Sequence, residues 1–140
     1  MGIEAEISSL QARLMMAVDH EDRDRFADCW AEDLDFELVM PDGKNLVLTG
    51  RDKMVEFACA RWTGKASSLR HLVAAVWVEP VAENEVQARF YCHYLNVGAT
   101  PSLAGMGEYE DVVRRGADGC WRVAKRRHRF LTPLITAGDS

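Results

Sequence analysis

The chain has 140 residues, of which 48% are hydrophobic, and a formal net charge of −5. This length allows one domain that buries about two-thirds of its unfolded surface, so we expect no second domain. The acidic balance excludes nucleic acid as a general partner, because phosphate binding needs a basic field over one face. The basic run at 125–129 is instead interpreted as a strand with alternating residues facing solvent.

The cysteines and the N-terminal residues exclude several further classes. Four cysteines lie far apart, without the paired spacing of a zinc site or a disulfide framework. Glu4 and Glu6 stand where a signal peptide would carry bases, and the apolar runs are too short to span a bilayer. We therefore expect a soluble, cytoplasmic protein with reduced cysteines, no metal, no cofactor and no membrane partner.

The first half of the chain reads as helical. Apolar residues at spacings of three and four predict a helix over 3–18. Asp22 and its neighbours supply capping oxygens for a second helix that would bury Phe26, Cys29 and Trp30. A short hairpin is predicted around 34–48, and a capping-box pattern begins a third helix over about 51–62.

The second half is rich in β-forming residues. Runs at 69–78, 85–97, 107–115 and 120–131 are separated by prolines and glycines, which predicts four consecutive strands in an antiparallel meander. Helices in one half and strands in the other predict an α+β fold, with three helices covering one face of a single curved sheet.

His71 is the first candidate for chemistry. The run at 69–78 is apolar on both faces, so the imidazole is expected to point into the interior, with Val73 and Trp77 on its own face. A general base is one role, because the ordinary pKa of histidine lies near neutral pH. A core histidine bonded to a backbone carbonyl is the alternative.

Asp19 and Arg126 are the other two candidates. Asp19 follows the first helix, where it could cap the second helix or, if buried, orient His71 and stabilise its imidazolium form. Arg126 shares a strand face with Ala124, His128 and Phe130. An inward guanidinium could stabilise a departing anion or an enolate oxygen, whereas an exposed one would be part of the basic strand. His93 and His20 are expected to lie outside the pocket.

Four short stretches together carry a resemblance. They are the Val18-Asp19 step, His71 in its apolar run, Arg126 five residues after Trp121, and the closing segment 130–134. In this order they resemble the SnoaL-like branch of the nuclear transport factor 2-like superfamily, which has a cystatin-like fold. Within it, the chain is similar to scytalone dehydratase and γ-hexachlorocyclohexane dehydrochlorinase.

The resemblance implies a cone-shaped domain over 1–140, with an ordered core over about 3–134, in which three helices pack on a strongly curved, mostly antiparallel sheet. It also implies an Asp-His pair in a hydrophobic pocket, with Asp19, His71 and Arg126 at catalytic positions. The positions that it implies for substrate contact are Phe36, Trp62, Leu69, Cys92, Tyr94 and Asn96. Such relatives associate as trimers or dimers, and an outer face with Leu72, Val76 and Val78 would suit a homo-oligomer.

Two positions depart from these relatives. Leu14 replaces the lysine of the dehydrochlorinase, and Asn96 replaces a second histidine of scytalone dehydratase. The remaining set favours a cofactor-independent lyase of the dehydratase type, acting on a hydrophobic cyclic or aromatic small molecule. An isomerase or polyketide cyclase using the same pair is the second hypothesis, and a non-catalytic ligand-binding or assembly module is the third.

Overall fold

Three helices occupy the first half of the chain, in a computed structural model that describes residues 2–64 and 68–135. They are α1 (Ile3–Asp19), α2 (Arg23–Asp28) and α3 (Arg51–Cys59). The apolar stripe predicted for 3–18 is buried along α1, which confirms that helix. The second helix is shorter than expected, because Trp30 already lies in a strand, although its side chain is buried. The third ends at Cys59 rather than at residue 62.

Seven strands form one sheet. In sheet order the path is β2-β1-β7-β6-β5-β3, and β4 also pairs with β5. All of the pairs are antiparallel except β1 with β7, which is parallel. The α+β prediction and the meander are therefore confirmed. The strands are β1 (Trp30–Val39), β2 (Asn45–Thr49), β3 (Leu69–Val73), β4 (Trp77–Ala82), β5 (Glu85–Asn96), β6 (Ser102–Arg115) and β7 (Trp121–Phe130).

The predicted strand over 69–78 is wrong in one respect, because it is interrupted. Val73 pairs with Cys92, but Trp77 pairs with Arg89, so β3 and β4 together contain one residue more than the matching part of β5. An extra residue of this kind reverses which side chains face inward. Trp77 is consequently 59% exposed, whereas Val78 is buried.

This reversal also corrects the expected outer face. Leu72 is exposed there, but Val78 belongs to the core and Val76 packs against it. The helices cover the inner face of the sheet, where Phe26 contacts both Trp30 and Trp62 edge-on. No helix among residues 2–64 and 68–135 is long and apolar enough to cross a bilayer.

Candidate active site

A cavity of about 380 Å³ lies between the three helices and the inner face of the sheet. Its wall is mainly aliphatic and aromatic, with a few polar side chains, which is the usual composition of a small-molecule site. The apolar lining residues are Leu14, Met15, Val18, Phe26, Trp30, Phe36, Met54, Phe57, Ala58, Trp62 and Leu69, and the others are Asp19, Glu21, Arg61, Thr63, His71, Tyr109, Arg126 and His128.

Asp19 and His71 are in direct contact in this wall. Oδ1 of Asp19 lies 2.6 Å from Nδ1 of His71, and Oδ2 accepts a hydrogen bond of 3.1 Å from the backbone N–H of His71. The Asp19 side chain is 6% exposed and that of His71 is 17% exposed. Because a carboxylate accepts from Nδ1–H, the neutral imidazole keeps its lone pair on Nε2.

The local structure explains why Asp19 needs this partner. Asp19 ends α1, where the negative end of the helix dipole disfavours a carboxylate. The cap of α2 is instead Asp22, whose side chain accepts from the backbone N–H of Arg25. Two hydrogen bonds from His71 therefore stabilise a carboxylate that caps neither helix. His71 is bonded to this carboxylate and not to a backbone carbonyl.

Arg126 also reaches the cavity wall, but its charge is already paired. Its Nε and Nη2 donate to the two carboxylate oxygens of Asp111, each at 2.8 Å, and Nη2 also donates to Oε1 of Gln11 at 2.6 Å. Burial acts to lower the pKa of Arg126, but attraction to Asp111 and its hydrogen bonds outweigh that effect, so the pKa is raised. The guanidinium also lies over the rings of Trp30 and Tyr109.

Neither Gln11 nor Asp111 was predicted, although both are buried. Each carries a weak signal in the sequence. Gln11 lies between Ile7 and Leu14 on the apolar stripe of α1, and Asp111 alternates with buried Tyr109 and Val113 in β6. A polar residue in an apolar periodic position indicates a buried network.

His128 is a second imidazole in the cavity wall, and its role was also not predicted. Its Nε2 lies 2.6 Å from the Tyr94 hydroxyl, which is 3.0 Å from the Tyr109 hydroxyl. The ring stacks on Tyr109 with centroids 4.1 Å apart. Burial, followed by the charges of Arg126 and His71, lowers the pKa of His128 to about 3. Sharing a strand face with Arg126 was the available signal.

The six expected substrate contacts divide into two groups. Phe36, Trp62 and Leu69 line the cavity. The other three lie on β5, behind the cavity wall, which corrects their expected placement: Cys92 is fully buried, Tyr94 bonds to His128, and Asn96 donates to the backbone oxygen of Ile135 at 3.0 Å.

The remaining histidines and the cysteines can be placed briefly. His93 lies on the opposite face of β5 from Tyr94, and His20 is exposed. All four cysteines are free. Within the part of the chain that the structure describes, no three His, Cys, Asp or Glu side chains are grouped as metal ligands.

Solved structures share this fold over most of the chain. A Nostoc punctiforme protein of unknown function with a cystatin-like fold has a TM-score of 0.76 at 23% identity, over 93% of this chain and 92% of that one. A function-unknown protein from Mycobacterium tuberculosis has 0.74 at 29%, over 96% and 73%. A Catenulispora acidiphila protein in complex with S-DNPA has 0.74 at 27%, over 90% and 91%.

No curated protein matches the sequence. A family model does match, and it covers residues 3–127 with the description SnoaL-like domain. The match spans all three helices and nearly the whole sheet, including the positions of Asp19, His71 and Arg126. The chain belongs to the SnoaL-like domain family.

Proposed function

We propose that the protein is a cofactor-independent lyase of the dehydratase type, which acts on a hydrophobic cyclic or aromatic small molecule. The observation that carries the proposal is the contact between Asp19 and His71 in the wall of an apolar cavity. A histidine whose Nδ1–H is held by a carboxylate has a basic Nε2 and a stabilised imidazolium form. This is the arrangement needed to remove a proton from carbon.

The reaction would proceed as an elimination. Nε2 of His71 takes the proton from a carbon next to a carbonyl, and the electrons of the C–H bond form the enolate. The enolate then forms a carbon–carbon double bond as the C–O bond to the neighbouring carbon breaks. The departing hydroxyl takes a proton from the His71 imidazolium and leaves as water, which restores the base. Asp19 remains ionised throughout and holds the ring.

The cavity supports a substrate of limited size. A volume of about 380 Å³ with mostly apolar lining suits one or two fused rings rather than a polymer. The Catenulispora acidiphila relative, at 27% identity, was solved with a small organic ligand, S-DNPA. That complex supports ligand binding within this fold.

An isomerase or cyclase is the second candidate, and the paired charge of Arg126 favours it. Elimination of an anion benefits from an uncompensated cation, but Asp111 already neutralises Arg126. Proton removal followed by return of the proton to another carbon needs no such cation. Both candidates share the first step, so one assay can separate them.

The test uses two bicyclic ketones as probes. 1-Tetralone reports proton removal by deuterium exchange in D₂O, and 3-hydroxy-1-tetralone reports elimination through formation of 1-naphthol. We expect both reactions with the wild type and neither with His71→Gln, whereas His93→Gln on the outer face should keep both. Exchange without elimination would favour the isomerase or cyclase, and equal rates in wild type and His71→Gln would contradict any role as base. Binding without either reaction would support a non-catalytic module.

A further inference from the structure

We propose that His128 is a second substrate-contacting residue, which donates its Nδ1–H to a carbonyl or enolate oxygen and thereby selects ketones. The inference rests on the proposed function for its catalytic part, because the oxygen gains charge only when His71 removes the proton. The substrate would lie with its acidic C–H toward His71 and its oxygen toward His128. Both imidazoles line the same cavity.

The hydrogen-bond chain behind His128 decides which ring nitrogen carries the proton. Tyr109 is fully buried within the sheet, and its hydroxyl must donate to an acceptor. Among the described residues, the Tyr94 oxygen is the one oxygen or nitrogen acceptor found for it, at 3.0 Å. The Cys92 thiol also approaches Tyr109, but sulfur is a weak acceptor.

The direction of the chain follows from that donor. If Tyr109 donates to Tyr94, then the Tyr94 hydroxyl donates onward to Nε2 of His128, over 2.6 Å. Nε2 is then an acceptor, and the neutral ring carries its hydrogen on Nδ1. The opposite direction would leave the Tyr109 hydrogen without a strong acceptor in a buried site, which is costly.

Tyr94 also relates the two imidazoles in space. Its ring contacts the ring of His71 edge-on, with centroids 5.2 Å apart, and its hydroxyl bonds to His128. His71 and His128 therefore approach the cavity from two sides of one tyrosine. A molecule of one or two rings between them could contact the base with one atom and the donor with another.

Gly107 gives independent support that this arrangement is built into the sequence. A Cβ at residue 107 would lie 2.0 Å from the Tyr94 hydroxyl and 3.0 Å from Nε2 of His128. Gly107 is paired within the sheet with Cys92 and Phe130, where a glycine otherwise weakens a strand. The space left by its missing side chain is where the Tyr94–His128 hydrogen bond lies.

The chemistry suits a neutral donor. Burial and the nearby Arg126 keep His128 uncharged at neutral pH, with its pKa at about 3. A neutral imidazole can donate a hydrogen bond to an enolate oxygen without giving up its proton, which is an established way of stabilising such an oxygen. Arg126 is itself paired with Asp111, so His128 is the cavity donor whose hydrogen-bond chain points toward substrate.

Two variants test the catalytic part with 1-tetralone exchange. His128→Leu removes the donor and should lower kcat by about 10²–10³-fold, with a smaller change in KM. His128→Gln can accept from Tyr94 through its oxygen and donate through its nitrogen, so it should recover much of that loss. A His128→Leu variant that exchanges at the wild-type rate would overturn the proposal.

Two readouts do not need turnover, and they separate this proposal from the lyase assignment. In protein labelled with ¹⁵N-histidine, NMR should find His128 as the Nδ1–H tautomer from pH 5 to 8, and Tyr94→Phe should shift it toward Nε2–H. By calorimetry, the wild type should bind 1-tetralone more tightly than tetralin, which lacks the oxygen, and His128→Leu should remove the preference. An Nε2–H tautomer in the wild type, or no preference for 1-tetralone, would overturn the proposal even if the lyase assay succeeds.

Discussion

Asp19 holds His71 by both its ring and its backbone, with Oδ1 on Nδ1 and Oδ2 on the amide N–H. The two residues are 52 positions apart in the chain. One carboxylate thus joins the end of α1 to β3 and also sets the tautomer of the imidazole. The double contact explains how a short strand near the cavity can hold a ring in one orientation.

We first predict that Asp19→Asn lowers kcat by about 10²–10⁴-fold. The asparagine amide can donate to Nδ1 of His71, which would move the ring hydrogen to Nε2 and remove the lone pair that acts as base. Deuterium exchange of 1-tetralone measures the effect. Asp22→Asn is the matched control, because asparagine caps a helix as well as aspartate does. Equal exchange rates in the two variants would contradict the orienting role.

A second prediction concerns the buried pair of Arg126 and Asp111. Asp111→Ala leaves a buried guanidinium without its counter-charge, so the free energy of unfolding should fall by about 3–5 kcal/mol. Urea unfolding at neutral pH measures it. Asp33→Ala breaks the exposed ion pair with Arg114, which should contribute about 0–1 kcal/mol. Similar losses in both variants would show that the Arg126 charge finds another partner.

The sequence was sufficient for the class of fold and for the three catalytic candidates. Periodicity identified α1 and the strands because their buried faces are nearly uninterrupted. The spatial meeting of Asp19 with His71 was not contained in any local pattern. It was available only through the resemblance, since a contact over 52 residues depends on how helices pack on the sheet.

The parts that sequence reasoning missed have specific physical causes. The extra residue between β3 and β4 cannot be seen in a continuous apolar run, so Trp77 was placed on the wrong face. Cys92 and Tyr94 have the correct inward parity, but parity does not show which inward side chain is covered by a neighbour. His128 covers Tyr94 and takes its place at the cavity.

The register shift gives a third prediction, on the two residues at the start of β4. Val78→Ala removes buried methyl groups and should cost about 1.5 kcal/mol of unfolding free energy. Trp77→Ala changes a residue that is 59% exposed and should alter the stability of the monomer by less than about 0.5 kcal/mol. Urea unfolding of both variants at low protein concentration measures the order. The reverse order would mean that β3 and β4 form one uninterrupted strand.

The last prediction is a pH dependence of stability that comes from His128. Its pKa is about 3 in the folded protein, because of burial and then of Arg126 and His71, whereas an unfolded histidine has a pKa of about 6.5. Between these values the unfolded chain binds a proton that the folded protein does not. The free energy of unfolding should therefore decrease as the pH falls below about 6.5, by up to about 1.4 kcal/mol per pH unit from this residue. His128→Gln lacks this group, so its stability should fall less steeply than that of the wild type in urea unfolding at pH 7, 6 and 5. Parallel stability profiles would mean that His128 takes up its proton without loss of the fold, which would contradict its burial as a neutral ring.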